Sequence, residues 1–159
     1  IDAGVVLLLL ETVIDTLNFK ASLFGLSQIT KSAKRPIPIM VSGTVIDASG
    51  RNLSGQTMEA FWYSIQHVDL LSVGLNCSFG ATELRPYLQD LAKLAPIPIS
   101  CYPNAGLPNE FGEYEETPEQ TAEFLHEWAQ EGLVNILGGC CGPTPALCLI
   151  HISEPTRPV

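Results

Sequence analysis

Three cysteines stand where they could form a metal site. Cys140 and Cys141 are adjacent in the glycine-rich stretch 138–142 (GGCCG), which follows a short apolar run, and Cys77 follows another. Three thiolates match a Zn²⁺ site whose fourth position is open to a substrate. A substrate thiol bound there would be held as a thiolate at neutral pH, which makes it a strong nucleophile. The sequence therefore predicts a zinc site formed by Cys77, Cys140 and Cys141.

The charge of such a site indicates which reaction it suits. Three thiolates leave a bound Zn²⁺ with net negative charge, which weakens it as a Lewis acid toward carbonyls and keeps a bound thiolate nucleophilic. Thiol alkylation is therefore expected rather than hydrolysis. Ordinary buried thiols remain an alternative for each cysteine taken singly. Cys101 is predicted to be a core residue because it lies inside an apolar run, and Cys148 falls in a doubtful tail.

The elements that must position these residues alternate between strand and helix. Strands are predicted over residues 5–10, 37–41, 70–75, 97–101 and 134–137. The first of these is a continuous apolar run, typical of a strand buried on both faces. Helices are predicted over residues 16–31, from a cap at Ser54, over 82–94, and from a capping box at Thr117 to Gly132. In the second helix, an apolar stripe at i, i+3, i+4 and i+7 is formed by Met58, Phe61, Trp62 and Ile65. The first helix is expected to bury Leu17, Ala21 and Phe24.

This alternation predicts a parallel sheet of the α/β class, because parallel strands are joined by helical crossovers. The spacing suits an open doubly wound sheet or a (β/α)₈ TIM barrel. The chain has no glycine-rich dinucleotide motif after the first strand, which favours the barrel. Since such barrels need about 250 residues, we expect residues 1–145 to be about five C-terminal βα units of one. Residues 146–159 are expected to be an atypical, non-native tail, since their pattern is not helical.

Functional groups in such folds gather beyond the carboxyl ends of the strands. The cysteines of the predicted site fall there. So do six other polar residues, namely Glu11, Thr12, Thr44, Asn76, Tyr102 and Asn104. His67 and His126 on helices, and His151 in the tail, are not expected to be ligands.

Composition excludes several classes of protein. The 159 residues are 46% hydrophobic and 16% charged, which is typical of a globular chain, and the net charge is −9. A negative charge argues against binding nucleic acid or an anionic membrane surface. No run reaches 18 apolar residues, and the first residues lack the features of a signal peptide. An odd cysteine count argues against a disulfide framework. We therefore expect a cytoplasmic protein, and the missing initiator Met predicts a start within a longer chain.

Six short motifs together resemble the homocysteine-binding domains of cobalamin-dependent methionine synthases, within the homocysteine S-methyltransferase family. The resemblance runs from about residue 2 to residue 145. The motifs are 9–12 (LLET), 42–44 (SGT), 55–57 (GQT), 74–77 (GLNC), 101–108 (CYPNAGLP) and 138–142 (GGCCG).

The resemblance implies a zinc-bearing barrel with Cys77, Cys140 and Cys141 as ligands. Homocysteine sulfur would take the fourth position and attack the methyl group of methylcobalamin, which is remethylated from methyltetrahydrofolate by other modules of a longer protein. The resemblance also implies that Glu11 contacts the amino-acid end of homocysteine and that Asn76 is a further substrate contact. No side chain of the chain is expected to act as catalytic acid or base, because the nucleophile is the zinc-activated substrate thiolate.

The chain also departs from the family pattern. The first three βα units are missing, with an acidic residue that helps to hold homocysteine, as are the folate, cobalamin and reactivation modules. We therefore expect a fragment of poor stability without turnover of its own. Two alternatives stay open, namely a methyltransferase that uses betaine or S-methylmethionine, and a non-catalytic zinc-stabilised fold.

Overall fold

The structure is a computed structural model that describes residues 4–30 and 35–147. Five strands alternate with four helices along these residues. The strands are β1 (Leu8–Val13), β2 (Ile39–Gly43), β3 (Ser72–Gly80), β4 (Ile99–Asn104) and β5 (Ile136–Leu137). The helices are α1 (Thr16–Thr30), α2 (Met58–Ile65), α3 (Ala81–Leu94) and α4 (Pro118–Gln130). The predicted alternation is confirmed.

The five strands form one parallel sheet in the order β1-β2-β3-β4-β5. Each strand therefore pairs with its neighbours in sequence. In a doubly wound sheet, the order in which successive strands are added across the sheet reverses at one point. The strand order of the described residues shows no such reversal. The α/β class is confirmed, and the strand order is that of consecutive units in the wall of a (β/α)₈ barrel.

The helices form a single layer over one face of the sheet. Contacts run from α1 to α2, from α2 to α3 and from α3 to α4. Right-handed crossovers between strands that advance in one direction place every helix on the same side. The predicted stripe of α2 is confirmed, since Met58, Phe61, Trp62 and Ile65 are all buried. None of the helices described has both the length and the apolar character needed to span a membrane.

Two helix starts show how local sequence sets element boundaries. The capping box of α4 is confirmed: the Thr117 side chain accepts from the backbone N–H of Gln120, whose side chain accepts from the backbone N–H of Thr117. The cap predicted at Ser54 is wrong, because α2 begins three residues later. Its N-cap is Thr57, whose hydroxyl accepts from Ala60 N–H at 3.2 Å.

The prediction for the first βα unit was wrong in two respects. Strand β1 begins later than expected, runs through Glu11 and is not buried on both faces, since Leu9 within it is 40% exposed. In α1, Leu17 and Phe24 are 73% and 70% exposed, while Phe19 is buried. The reason is the position of this unit at the edge of the sheet, where no described strand or helix covers its outer side.

The other strands end later than predicted, with one exception. Strand β2 extends to Gly43, β3 to Gly80 and β4 to Asn104. Of the residues predicted to follow these three strands, only Thr44 does so, and the others lie within β3 and β4. Strand β5 is shorter than predicted, because only two of its residues pair with β4. Cys101 is fully buried in β4, which confirms its prediction as core.

The predicted tail falls mostly outside the described residues. Residues 145–147 are helical, and Leu147 is buried against the core. Cys148, His151 and the rest of residues 148–159 lie outside the described part of the chain. The boundary at residue 145 stays a prediction.

Candidate metal centre

Cys77, Cys140 and Cys141 lie together at the carboxyl edge of the sheet. Their sulfur atoms are all within 4.8 Å of one another. The Sγ–Sγ distance is 3.7 Å from Cys77 to Cys141 and 3.9 Å from Cys140 to Cys141. A tetrahedral zinc with Zn–S bonds of about 2.3 Å holds its sulfurs about 3.8 Å apart, whereas a disulfide needs about 2.05 Å. The donor set and its spacing therefore fit a zinc ion.

A bulge in β3 aims Cys77 at this site. The register between β3 and β4 shifts between Asn76 and Gly80. Cys77 and Ser78 both have left-handed backbones, with φ of 64° and 69°. Side chains alternate along a regular strand, so Cys77 would otherwise share the helix-covered face with Leu75. The bulge re-aims it at the cost of two strained non-glycine residues, and such strain is typical of functional sites.

The other two cysteines are tied to the end of β4 by their backbones. Cys140 N–H donates to the Pro103 carbonyl at 2.8 Å, and the Cys141 carbonyl accepts from Ala105 N–H at 2.9 Å. Cys141 N–H also donates to Oδ1 of Asn104 at 3.0 Å, and Asn104 is buried. Strand β4 thus fixes the two adjacent sulfurs, and Asn104, which was predicted only to lie at this edge of the sheet, holds the backbone of Cys141.

Asn76 is the hydrogen-bonding centre beside the thiols. Its Oδ1 accepts from Thr12 N–H at 3.0 Å and from the Ser42 hydroxyl at 2.8 Å. Its Nδ2 donates to Thr12 Oγ1 at 2.9 Å and to Cys140 Sγ at 3.9 Å. Its carbonyl accepts from the Thr44 hydroxyl at 3.0 Å. The side chain is 1% exposed, so Asn76 joins three strands to one ligand. Its contact with substrate stays a prediction.

Strand β1 also has an irregular backbone next to the thiol cluster, at Thr12. The register between β1 and β2 shifts between Leu10 and Val13, and Thr12 has a φ of 58°. A β-branched residue in this region is rare, because its side chain crowds the backbone. The strained backbone at Thr12 and the strained backbone at Cys77 both lie next to Asn76. The hydrogen bond from Ser42 to Asn76 was not predicted from the sequence.

The thiols of the chain differ in their surroundings. Burial, followed by the neighbouring Cys77 thiol, raises the pKa of Cys140 to about 12. Thiols that lie this close together keep their protons unless a bound metal cation replaces those protons. Burial raises the pKa of Cys101 well above its ordinary range, which keeps this core thiol inert. His67 and His126 are not members of the cluster.

Glu11 precedes Thr12 in β1. It is exposed in β1 and lines a groove with Asp15 and Asn18. Burial raises the pKa of Tyr102, and the nearby charge of Glu11 raises it further. A Cβ added to Gly138 would stand 2.7 Å from the Tyr102 ring, so this ring packs against the start of the cysteine loop. No cysteine lines this groove, and the contact of Glu11 with substrate stays a prediction.

The loop after β4 closes over Cys141. The Tyr114 ring packs on Gly142, where an added Cβ would lie 2.6 Å from Tyr114 Cγ. Gly142 has a φ of 89°, which favours glycine. Burial raises the pKa of Tyr114, and the Cys141 thiol raises it further. The hydroxyl therefore stays protonated at neutral pH. The sequence did not single out Tyr114, because 37 residues separate it from Cys77 and 27 from Cys141.

The fold and the site together define the class: this is an α/β protein with three clustered thiols at the carboxyl edge of its parallel sheet, and such a cluster suits a soft metal ion. A sequence model of the homocysteine S-methyltransferase family matches residues 1–151. The match covers nearly the whole sequence, and the chain belongs to the homocysteine S-methyltransferase family. This is a family of methyltransferases whose substrate is homocysteine.

Proposed function

We propose that this chain binds homocysteine at a zinc site formed by Cys77, Cys140 and Cys141. The site serves methyl transfer from methylcobalamin, itself remethylated from methyltetrahydrofolate, to give methionine. The observation that carries the proposal is the spacing of the three sulfurs, which all lie within 4.8 Å of one another, with 3.7 Å from Cys77 to Cys141 and 3.9 Å from Cys140 to Cys141. Family membership supports the choice of homocysteine as substrate.

The chemistry of the donor set supports thiol alkylation. When bound, zinc would lower the pKa of a substrate thiol and keep it as a thiolate at neutral pH. The three cysteine thiolates supply more negative charge than the ion carries, so the site as a whole favours an electron-rich sulfur over carbonyl activation. In the reaction, homocysteine would lose the thiol proton, and its sulfur would form a bond to the methyl group as the cobalt–carbon bond of methylcobalamin breaks and the electron pair of that bond stays with the cobalt.

The remaining roles belong to residues around the cluster. Glu11 would bind the substrate ammonium, since its carboxylate is exposed in the groove next to Thr12. Asn76 would position Cys140 through its amide and contact substrate from beside the first ligand. No acid or base is needed on the chain, because the thiol proton can leave to water at an exposed site.

Metal analysis of the purified chain tests the site. We expect about one zinc per chain, lost in Cys140→Ser because two thiolates bind zinc far more weakly than three. Cys101→Ala is the matched control, since it removes a buried thiol outside the cluster, and it should keep its zinc. A wild-type chain without zinc, or a Cys140→Ser variant that retains it, would contradict the proposal.

A second experiment tests the substrate and the donor. Homocysteine should add a fourth sulfur to the metal shell in X-ray absorption spectra of the zinc-loaded chain. Because no turnover is expected of this chain alone, methylcobalamin, betaine and S-methylmethionine are then offered separately with homocysteine to a longer protein that carries it. Methionine formed from methylcobalamin supports the proposal, whereas methionine formed from betaine or S-methylmethionine alone would assign the chain to the other donor.

A further inference from the structure

The cysteine loop, residues 138–142, continues the pairing of β5 with β4. Gly138 N–H donates to the Cys101 carbonyl at 3.2 Å. Two residues further on, Cys140 N–H donates to the Pro103 carbonyl at 2.8 Å. Hydrogen bonds between parallel strands are evenly spaced and recur at every second residue in this way. The cysteine loop therefore begins as a regular extension of the sheet.

This pairing slips by one residue at the two cysteines. A regular ladder would continue with a bond from Ala105 N–H to the Cys140 carbonyl, whereas Ala105 N–H donates to the Cys141 carbonyl at 2.9 Å. Successive side chains of a regular strand point to opposite faces, so a regular ladder would separate the two sulfurs. An extra residue in a strand interrupts this alternation, as in a β-bulge. The slip thus explains how the sulfurs of adjacent residues come to lie 3.9 Å apart at one site.

A side chain of β4 compensates the slip. In a regular ladder the N–H of Cys140 points at β4 and the N–H of Cys141 points away from it. In the structure, Cys141 N–H donates to Oδ1 of Asn104 at 3.0 Å. Asn104 is only 2% exposed, so water does not compete for this acceptor. The bond has no counterpart in the regular ladder, and it therefore stabilises the slipped arrangement over the regular one.

We propose that Asn104 is the positioning residue of the ligand pair, because its amide oxygen holds the slip that turns Cys140 and Cys141 to the same side. Both thiolates can then bind one zinc ion together with Cys77. The inference rests on the proposed function, since it concerns how the chain holds the ligands of that site. Asn104 acts through the backbone of Cys141 and not on the substrate.

Two substitutions separate the acceptor from the bulk of the side chain. Asn104→Leu keeps a similar volume and removes the acceptor, so the loop can return to the regular ladder, which offers a metal only one thiolate of the pair. We expect zinc bound to this variant to have two sulfur ligands instead of three. Its zinc affinity should be about 10–100-fold lower, the usual loss when an outer partner of a metal ligand is removed. Asn104→Asp keeps an oxygen in the place of Oδ1 and should retain three sulfur ligands.

X-ray absorption spectra of the zinc-loaded variants count the sulfur ligands, and competition with a chromophoric chelator gives the zinc affinity. Circular dichroism shows in the same samples whether each variant is folded. Asn135→Leu is the matched control, because Oδ1 of Asn135 accepts from Ile99 N–H at 2.9 Å. This is the same kind of hydrogen bond at the opposite end of β4, which begins at Ile99. The control should keep three sulfur ligands and the wild-type affinity.

Amide exchange in the unaltered, metal-free chain tests the same bond without any variant. Because Asn104 holds Cys141 N–H, NMR should show this amide exchanging at least about tenfold more slowly than in the urea-unfolded chain. Exchange as fast as in the unfolded chain would overturn the inference, even if Asn104→Leu fails to fold.

The outcomes for the inference and for the proposed function are distinguishable. A folded Asn104→Leu variant with three sulfur ligands and wild-type affinity overturns the inference and leaves the proposed function standing. An equal loss of sulfur ligands in Asn135→Leu also overturns it, because that loss reports general loosening of the sheet. A wild-type chain without zinc contradicts the proposed function, and a protected Cys141 amide would then still support the role of Asn104 in placing the two thiols. Loss of one sulfur ligand in Asn104→Leu alone supports the inference.

Discussion

Replacing Asn76 by Ala should weaken both the fold and the metal site. The substitution removes the acceptor for Thr12 N–H and for the Ser42 hydroxyl, and the donor to Cys140. Ser42 is fully buried and cannot turn to water. Thr12 is exposed, so its hydroxyl can find water, but its left-handed backbone loses the bond that holds it.

The magnitude follows from these groups. A buried donor left without a partner costs about 1–3 kcal/mol, so the loss at Ser42 and at Thr12 N–H together is about 3 kcal/mol of the free energy of unfolding. With an m-value of about 2 kcal/mol/M in urea, the unfolding midpoint should fall by about 1.5 M. Loss of an outer partner of a metal ligand typically lowers metal affinity by about 10–100-fold.

Urea unfolding followed by circular dichroism, and zinc competition against a chromophoric chelator, measure the two effects. Gln66→Ala is the control, since it removes an exposed side-chain amide at the end of α2. We expect it to leave both quantities nearly unchanged. A loss below about 1 kcal/mol in Asn76→Ala, or a zinc affinity equal to that of the wild type, would refute the view of Asn76 as the link between strands and ligand.

Other predictions concern the scaffold. Gly74→Ala should cost about 3 kcal/mol or more and lower the soluble yield, because the new Cβ would collide with the Ser100 carbonyl oxygen, 1.9 Å away. Thr117→Ala removes the cap of α4 and should cost about 1 kcal/mol in thermal unfolding. Arg85→Ala breaks ion pairs to Glu127 of α4 and to Glu131, which caps the end of this helix, and should cost about 0.5–1 kcal/mol at low salt, less in 1 M salt. Cys101 should resist thiol reagents in the native metal-free chain and react only after unfolding, since it is fully buried with a raised pKa.

Much of the fold could be predicted because its signals are local. The stripe of α2 and the capping box at Thr117 depend on spacing within one helix, and both are confirmed. The burial of β1 and α1 could not be predicted in this way. Whether Leu17 or Phe24 is covered depends on what lies beside the edge of the sheet, and periodicity within a segment carries no information about that.

The candidate metal site could likewise be predicted only in part. The meeting of three cysteines could be predicted, because the carboxyl ends of parallel strands share one edge. The left-handed backbones of Thr12 and Cys77 could not, since neither position carries the glycine that usually marks such a conformation. The full contacts of Asn76 were also hidden, because they depend on bulges in two strands.

The distance along the chain between the ligands has a consequence during synthesis. Cys77 and Cys141 are 64 residues apart. At about 5–20 residues per second, the ribosome needs about 3–13 seconds to add the second of these cysteines after the first. During that interval Cys77 can offer a metal ion only one thiolate of the three. Metal capture by all three thiols would therefore follow completion of β5, and the Cys77 thiol of the nascent chain spends seconds without its partner cysteines and open to oxidation.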